Sequence, residues 1–150
     1  MRFDLTISEF TLSIANGNDL LVYDENTWRP YCHVQDFSRL IKIVLDAPIE
    51  KVSFQVFNAG GDKNNATKQM IIETILKNTS TGKIRYQKNG SDPRNYRVSF
   101  EKVNSVLNFK PVYSIEDGVT ELLDVINLKI FDKVDKNKNF YGNYKIDYKR

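Results

Sequence analysis

Residues 28–39 read Trp-Arg-Pro-Tyr-Cys-His-Val-Gln-Asp-Phe-Ser-Arg, and this stretch says most about the fold. Its first part predicts a short strand from Tyr31 to Val34. Its second part predicts a helix, because apolar residues recur at helical spacing from Phe37 onward and Asp36 is a favourable N-cap residue. A strand that presents a cation and an aromatic ring beside a capped helix is suited to binding an anion.

Helices and strands alternate on both sides of this stretch. The first helix has Asp4 or Thr6 as candidate caps, ends at Asn16-Gly17, and has no strand before it. The residue patterns predict strands at about 20–23, 31–34, 52–57 and 84–86, and helices at about 3–16, 36–46, 67–78, 99–107 and 114–127. This order predicts an α/β fold.

Composition describes an ordinary globular domain of 150 residues with 41% hydrophobic and 27% charged residues. No apolar run approaches the roughly 18 residues of a membrane span, and no signal peptide is recognisable. The single cysteine, Cys32, fits a reducing compartment such as the cytoplasm. The net charge of +3 comes entirely from residues 132–150, a Lys-, Asn- and Tyr-rich segment that we expect to be a flexible tail. Nucleic-acid binding by residues 1–131 is therefore poorly supported, and binding of RNA by the tail is a remote alternative.

Two segments combine arginine with tyrosine. The Arg29 guanidinium suits a phosphate or diphosphate, and Tyr31 would lie on the same face of a strand, where it could stack on a ring or bond a sugar hydroxyl. The run from Asp92 to Arg97 places Arg94 and Arg97 before a helix start, which also attracts anions. The alternatives are a surface arginine beside a core tyrosine, and a turn with solvated charges.

Other candidate motifs favour structural roles. Cys32 and His33 lack further metal ligands, and neighbours on a strand point to opposite faces, so neither a metal site nor a nucleophile pair is indicated. The loop at 58–61, Asn-Ala-Gly-Gly, matches no phosphate-loop spacing and suggests a close approach of a backbone or a ligand. A Tyr-x-x-x-Lys match at 141–145 lies outside any helical pattern, and we interpret it as chance.

Five segments taken together resemble a known family. The chain is similar over about residues 1–127 to the C-terminal half of the NAD-dependent epimerase/dehydratases, the extended short-chain dehydrogenase/reductases that act on nucleotide sugars. The segments follow in the family's order: residues 1–5, 28–36, 57–60, 92–99 and 107–111. One departure is Asn108, which stands where the family's Leu-Gly-Phe/Trp-x-Pro ending has glycine.

The resemblance implies a partial extended short-chain dehydrogenase/reductase fold. Residues 1–131 would be the substrate-binding region with the last Rossmann elements, and the dinucleotide-binding half would be missing. It implies that Arg29 contacts a diphosphate, that Tyr31 lies near the nucleotide or sugar, and that Arg94 and Arg97 hold the nucleotide end. His33, Cys32 and Asp36 become scaffold.

The resemblance also implies that some functional parts of the family enzymes are missing from this sequence. The sequence has neither the glycine-rich cofactor loop nor a catalytic Tyr-x-x-x-Lys helix, so we expect no catalytic residue, no bound cofactor and no metal. The complete family enzyme uses NAD or NADP to epimerise or dehydrate a sugar nucleotide. This chain would bind the nucleotide-diphosphate sugar and would pair with a separate Rossmann-bearing chain, or self-associate. The alternatives are a non-enzymatic binding module and a degenerate remnant that acts by association with another chain.

Overall fold

The computed structural model describes residues 2–79 and 82–131 as an α/β arrangement with two hydrophobic clusters. The predicted tail at 132–150, with its Tyr-x-x-x-Lys match, lies outside these residues. Its elements run in the order α1 (Thr6–Ala15), β1 (Leu20–Tyr23), β2 (Trp28–Pro30), α2 (Val34–Asp46), α3 (Ile49–Val52), a 3-10 helix (Asp62–Asn64), β3 (Asn65–Thr67), α4 (Lys68–Asn78), β4 (Ile84–Gln87), α5 (Glu101–Leu107) and α6 (Ile115–Asn127).

Helices α1, α4 and α6 pack together around the larger cluster. Each helix turns an apolar stripe inward, and Ile14, Ile71 and Val119 are completely buried. The ends of α1 agree only partly with the sequence pattern. Gly17 follows it in the left-handed conformation as expected, but its N-cap is Leu5, which offers no side-chain acceptor, so neither Asp4 nor Thr6 is the cap.

Two short sheets connect these helices. Strands β1 and β4 are parallel, and β1 buries Leu20 and Val22 while Leu21 and Tyr23 face outward. Strands β2 and β3 are antiparallel, with Arg29 opposite Ala66. The predicted strand from Tyr31 to Val34 is wrong in position, because β3 pairs with residues 28–30 and α2 already begins at Val34.

The smaller cluster lies between α2, α5 and the segment after α5. Its buried members are Leu40, Phe100, Val103 and Phe109. Asn108 ends α5 at φ 51°, which explains the departure from glycine, since asparagine tolerates the left-handed region better than most residues.

Residues 52–57 do not form the buried strand that their composition predicts. Ile49–Val52 is a short helix, and in the described chain neither sheet includes residues 53–59. Phe54 is fully exposed and Val56 nearly so. A β-rich segment needs a neighbouring strand for its backbone hydrogen bonds, and the described part of the chain provides none.

Candidate anion-binding site

Arg29 lies on β2 with its guanidinium mostly buried, its side chain being only 16% exposed. One nitrogen, Nη1, donates to the Trp28 carbonyl oxygen at 2.7 Å. The other, Nη2, donates to the Asp92 carboxylate at 3.0 Å. The Tyr96 ring lies below the guanidinium, 5.2 Å from its centroid, within the range of a cation–π contact.

Asp92 also binds Arg94, so two arginines converge on one carboxylate. Arg94 donates from Nε and Nη2 to the two carboxylate oxygens, each at 2.8 Å, and its backbone N–H adds a bond at 3.2 Å. Hydrogen bonds from Arg94 and then from Arg29 hold the pKa of Asp92 far below its usual range. An anion with several oxygens therefore has a matching set of donors here, at present used by Asp92.

Arg97 stacks on the Trp28 ring with its guanidinium carbon 4.5 Å from the ring centroid. The Arg97 side chain is exposed. The three predicted arginines thus divide into a converging pair, Arg29 and Arg94, and a third that covers an indole ring.

Side-chain amides attach the 92–98 loop to the β2–β3 sheet. Asn65 on β3 donates from Nδ2 to the Val98 carbonyl oxygen at 3.0 Å and accepts from the Val98 N–H at 3.1 Å. Asn95 accepts from the Trp28 N–H at 2.9 Å, and Tyr96 donates its N–H to the Trp28 carbonyl oxygen. These bonds bring residues distant in sequence to Arg29.

Tyr31 follows β2 and still pairs with the neighbouring chain, because its N–H donates to the Asn64 carbonyl oxygen at 2.9 Å. Its ring packs against the larger cluster. Among the described residues its buried hydroxyl has no hydrogen-bond partner of regular geometry. Burial raises the pKa of this phenol, and the nearby Thr6 hydroxyl and Arg29 guanidinium offset that only partly.

The His33 and Asp36 side chains form contacts within the chain, but the residue that caps the start of α2 is not the one predicted. His33 is the N-cap, since its Nδ1 accepts from the Gln35 N–H at 3.3 Å. Its Nε2 lies 3.2 Å from Glu121 on α6, and its ring stacks on Tyr113. Asp36 is not the N-cap because it is the third residue of α2, and its carboxylate accepts N–H groups from Val112 and Tyr113.

Asp36 is completely buried and connects α2 to the segment after α5. Its oxygens accept the N–H groups of Val112 and Tyr113 at 2.9–3.1 Å and the Arg39 guanidinium. Burial alone would raise its pKa, but these three donors outweigh burial, so the pKa of Asp36 lies below its usual range. The sequence could not indicate this long-range contact.

The glycines at 60 and 61 are closely packed within the chain. A Cβ on Gly60, at φ 139°, would lie 2.8 Å from the Phe100 ring, and one on Gly61 would lie 2.6 Å from the Pro111 ring. Side chains of the chain itself therefore approach both glycines closely. With no G-x-G-x-x-G sequence either, these residues do not fit a dinucleotide.

A metal-binding cluster and a membrane-spanning helix are both absent from residues 2–79 and 82–131. No cluster of His, Cys, Asp and Glu side chains there could hold a metal ion. Helices of membrane-spanning length and apolarity do not occur in this part of the chain.

Solved structures with this fold are numerous, whereas no protein-family model matches the sequence. The UDP-glucuronic acid 4-epimerase of Bacillus cereus, solved with UDP-glucuronic acid and NAD, is 20% identical with a TM-score of 0.74, over 86% of this chain and 41% of that one. The dTDP-glucose 4,6-dehydratase of Bacillus anthracis, solved with NAD, is 26% identical with a TM-score of 0.70, over 88% and 41%. An L-threonine dehydrogenase of Cupriavidus necator is 16% identical with a TM-score of 0.68, over 80% and 45%.

The described residues therefore have part of the extended short-chain dehydrogenase/reductase fold, as the sequence predicted. More particularly, the chain is similar in fold to part of the NAD-dependent epimerase/dehydratases, which confirms the resemblance found in the sequence. It spans about two-fifths of the length of the structures that it matches.

Proposed function

We propose that this chain is the nucleotide-diphosphate-sugar-binding portion of an NAD(P)-dependent sugar-nucleotide epimerase or dehydratase, and that it does not catalyse alone. The observation that carries the proposal is the convergence of Arg29 and Arg94 on one carboxylate. Two guanidinium groups around one small acceptor form an arrangement suited to a diphosphate.

The fold alone does not select a nucleotide sugar, since an L-threonine dehydrogenase shares it. In our proposal, the positive charges of Arg29 and Arg94 favour a nucleotide-diphosphate sugar. A diphosphate would replace Asp92 between Arg29 and Arg94, with the Tyr96 ring supporting the first guanidinium. Arg97 would hold the nucleotide end beside Trp28.

Tyr31 would serve the sugar or the nucleotide through its hydroxyl. That group lies in a buried position without a regular hydrogen bond, where a ligand hydroxyl would supply the missing partner. A phenol is protonated at neutral pH, and burial raises the pKa of Tyr31 further, so the hydroxyl can donate.

Catalysis would need residues beyond those described. Dinucleotide binding requires a glycine-rich strand-turn-helix that this sequence lacks, and the glycines at 60 and 61 are occupied by packing contacts. Hydride transfer would therefore depend on residues supplied by another polypeptide segment. The proposal places the protein in the cytoplasm, a reducing compartment that the single cysteine, Cys32, fits.

Calorimetry with UDP, dTDP and their glucose conjugates tests the binding claim. Arg29→Ala should weaken binding at least tenfold, because it removes a mostly buried cation from the diphosphate position. Arg85→Ala is the matched control, since Arg85 pairs with Asp19 at a different sheet. Absence of binding by the parent chain, or equal effects of both substitutions, would refute the proposal.

A second measurement separates binding from turnover. The purified chain with a UDP- or dTDP-sugar and added NAD+ should give no epimerised or dehydrated product, and turnover would refute the claim that it does not catalyse alone.

A non-enzymatic binding module, or a remnant that acts by association, is the second candidate. This candidate is favoured because all the proposed ligand contacts lie within this chain. Such a protein would bind the sugar nucleotide but would not contribute to turnover when mixed with other proteins.

A further inference from the structure

The turn that joins β1 to β2 contains an aspartate in an uncommon backbone conformation. Asp24 has φ 48°, in the left-handed region that aspartate tolerates better than most residues but still adopts rarely. Its carbonyl oxygen accepts the N–H of Thr27 at 3.0 Å and the hydroxyl of Thr27 at 2.6 Å. A residue in such a conformation persists where surrounding contacts fix it, and the Asp24 side chain supplies further contacts.

The Asp24 carboxylate binds the loop that carries Arg94. One oxygen, Oδ1, accepts the Asn89 N–H at 3.0 Å, and the other, Oδ2, accepts the Gly90 N–H at 2.7 Å. Hydrogen bonds to a charged acceptor are stronger than those to a neutral one. A Cβ on Gly90 would lie 2.9 Å from Oδ2 and 2.8 Å from the Tyr23 Cβ, so a residue without a side chain is needed for this contact.

The contact holds one end of a short span of chain, and the other end is held by the same segment. At that other end, Asn95 accepts the Trp28 N–H at 2.9 Å. Residues 24–28 therefore hold both ends of the span 91–94, and they continue directly into Arg29. Two attachments on one segment thus set the separation between the two arginines of the candidate site.

The span between these attachments has little other support. In the described chain, no helix or strand includes residues 88–99. If one attachment is lost, the backbone of the span gains conformational entropy, which a bound ligand would have to remove again. Loss of the contact at 89–90 would therefore weaken ligand binding even though it removes no group that touches the ligand.

We propose that Asp24 is a positioning residue of the candidate anion-binding site, which fixes Arg94 relative to Arg29 by binding the backbone at 89–90. The proposal rests on the proposed function, because it assumes that a nucleotide diphosphate lies between these two arginines. Asp24 acts through the loop, since both of its carboxylate oxygens already accept backbone N–H groups.

The sign of the effect distinguishes positioning from simple electrostatics. A negative charge near the site repels a diphosphate, so removal of the Asp24 charge should by electrostatics alone tighten binding. Positioning predicts the opposite result, because the loop loses its attachment together with the charge. Weaker binding after removal of a carboxylate is therefore evidence for the role of the contact.

The test measures the Kd for UDP by calorimetry and the urea midpoint of unfolding, both on the full chain. Asp24→Gly removes both acceptors but fits the positive φ. We therefore expect the Kd to rise about fivefold or more, while the urea midpoint stays within about 0.3 M of the parent value. Asp24→Asn tolerates this φ and keeps one acceptor oxygen, so its Kd should lie between those of the parent and Asp24→Gly.

The matched control is Asp19→Asn. Asp19 precedes β1 as Asp24 follows it, and it forms an exposed pair with Arg85 at the other end of that strand. The substitution removes the same charge without touching the loop at 89–90. It should leave the Kd for UDP unchanged.

Gly90→Ala tests the contact from the side of the loop. The added Cβ would displace the Asp24 carboxylate, so the Kd for UDP should rise by a similar factor. Because Asp24→Gly and Gly90→Ala remove the same contact, the double variant should lose less affinity than the product of the two single losses.

Three results would overturn the inference: unchanged or tighter UDP binding by Asp24→Gly, a loss of affinity in both Asp24 variants that is accompanied by a lower urea midpoint, or losses that multiply fully in the double variant. The second result would mean that Asp24 supports the fold in general. Failure of the parent chain to bind UDP would overturn the proposed function and this inference together. UDP binding by the parent with any of the three results would overturn this inference alone.

Discussion

Replacing Asp36 with asparagine should destabilise the fold by about 2 kcal/mol at neutral pH. The carboxylate accepts two backbone N–H groups, from Val112 and Tyr113, and an Arg39 guanidinium, all at a completely buried position. Asparagine keeps one acceptor oxygen, but its amide group would face the second backbone donor. An unpaired buried donor costs about 1–3 kcal/mol, which sets the magnitude.

The same substitution should change how stability depends on pH. Because the native pKa of Asp36 is lowered, its stabilisation is complete above the unfolded pKa of about 4 and is lost as the pH falls through the native pKa. The difference in unfolding free energy between parent and Asp36→Asn should therefore be largest near pH 7. It should shrink as the pH falls from about 4 towards 2.5, because the unfolded parent then binds a proton that the native Asp36 carboxylate resists.

Urea denaturation at several pH values measures this difference directly. Asp46→Asn is the matched control, because Asp46 lies on the same helix in an exposed pair with Lys42, which contributes at most about 1 kcal/mol. A cost below about 0.5 kcal/mol for Asp36→Asn at pH 7, or one that stays constant down to pH 2.5, would refute the reasoning.

Two further changes test the site and its support. Asp92→Asn removes the carboxylate that occupies both guanidinium groups, so the Kd for UDP in calorimetry should fall by roughly threefold. Weaker binding would instead mean that Asp92 orders the arginines for the ligand. Gly60→Ala should lower the thermal midpoint through both its positive φ and the Phe100 ring, at a cost of about 2–4 kcal/mol. Gly17→Ala, which has a positive φ and open space, should cost only about 1 kcal/mol, and equal costs would contradict the clash.

Helices whose apolar stripes are buried within the chain could be predicted from sequence. Helices predicted at about 67–78 and 114–127 are present: Ser114 and Asp117 form a capping box at the start of α6, and Ile71, Ile72 and Ile75 form the buried stripe of α4. Local spacing decides such features, because the interacting side chains are three or four residues apart.

Features that depend on distant partners could not be predicted. Residues 52–57 have the composition of a strand, yet a strand forms only where another strand is available to pair. The sequence predicts a strand at 31–34 instead of 28–30, because the partner of β2, Asn65–Thr67, has no apolar pattern that would reveal the pairing. His33 rather than Asp36 is the N-cap of α2, and the Asp36 carboxylate instead accepts N–H groups from residues far along the chain.

Only part of the geometry of the candidate site could be predicted from the sequence. The sequence indicated Arg29 and Arg94, and the structure brings them onto one carboxylate. It missed Tyr96 as the ring beneath Arg29. The repeated Arg/Tyr pairing at 29 and 31 and at 94 and 96 was the one available signal, but it gave no register between the two segments.

The Asn65 amide behaves like one residue of an additional strand, because it both donates to and accepts from the backbone of Val98. The β2–β3 ladder has only three residue pairs, and a slip by one position would exchange the faces of Arg29 and Trp28. Two side-chain amides, from Asn65 and Asn95, therefore help to align the two arginine-bearing segments. Substitution of either asparagine would then change the spacing of the arginines without removing any charge from the site.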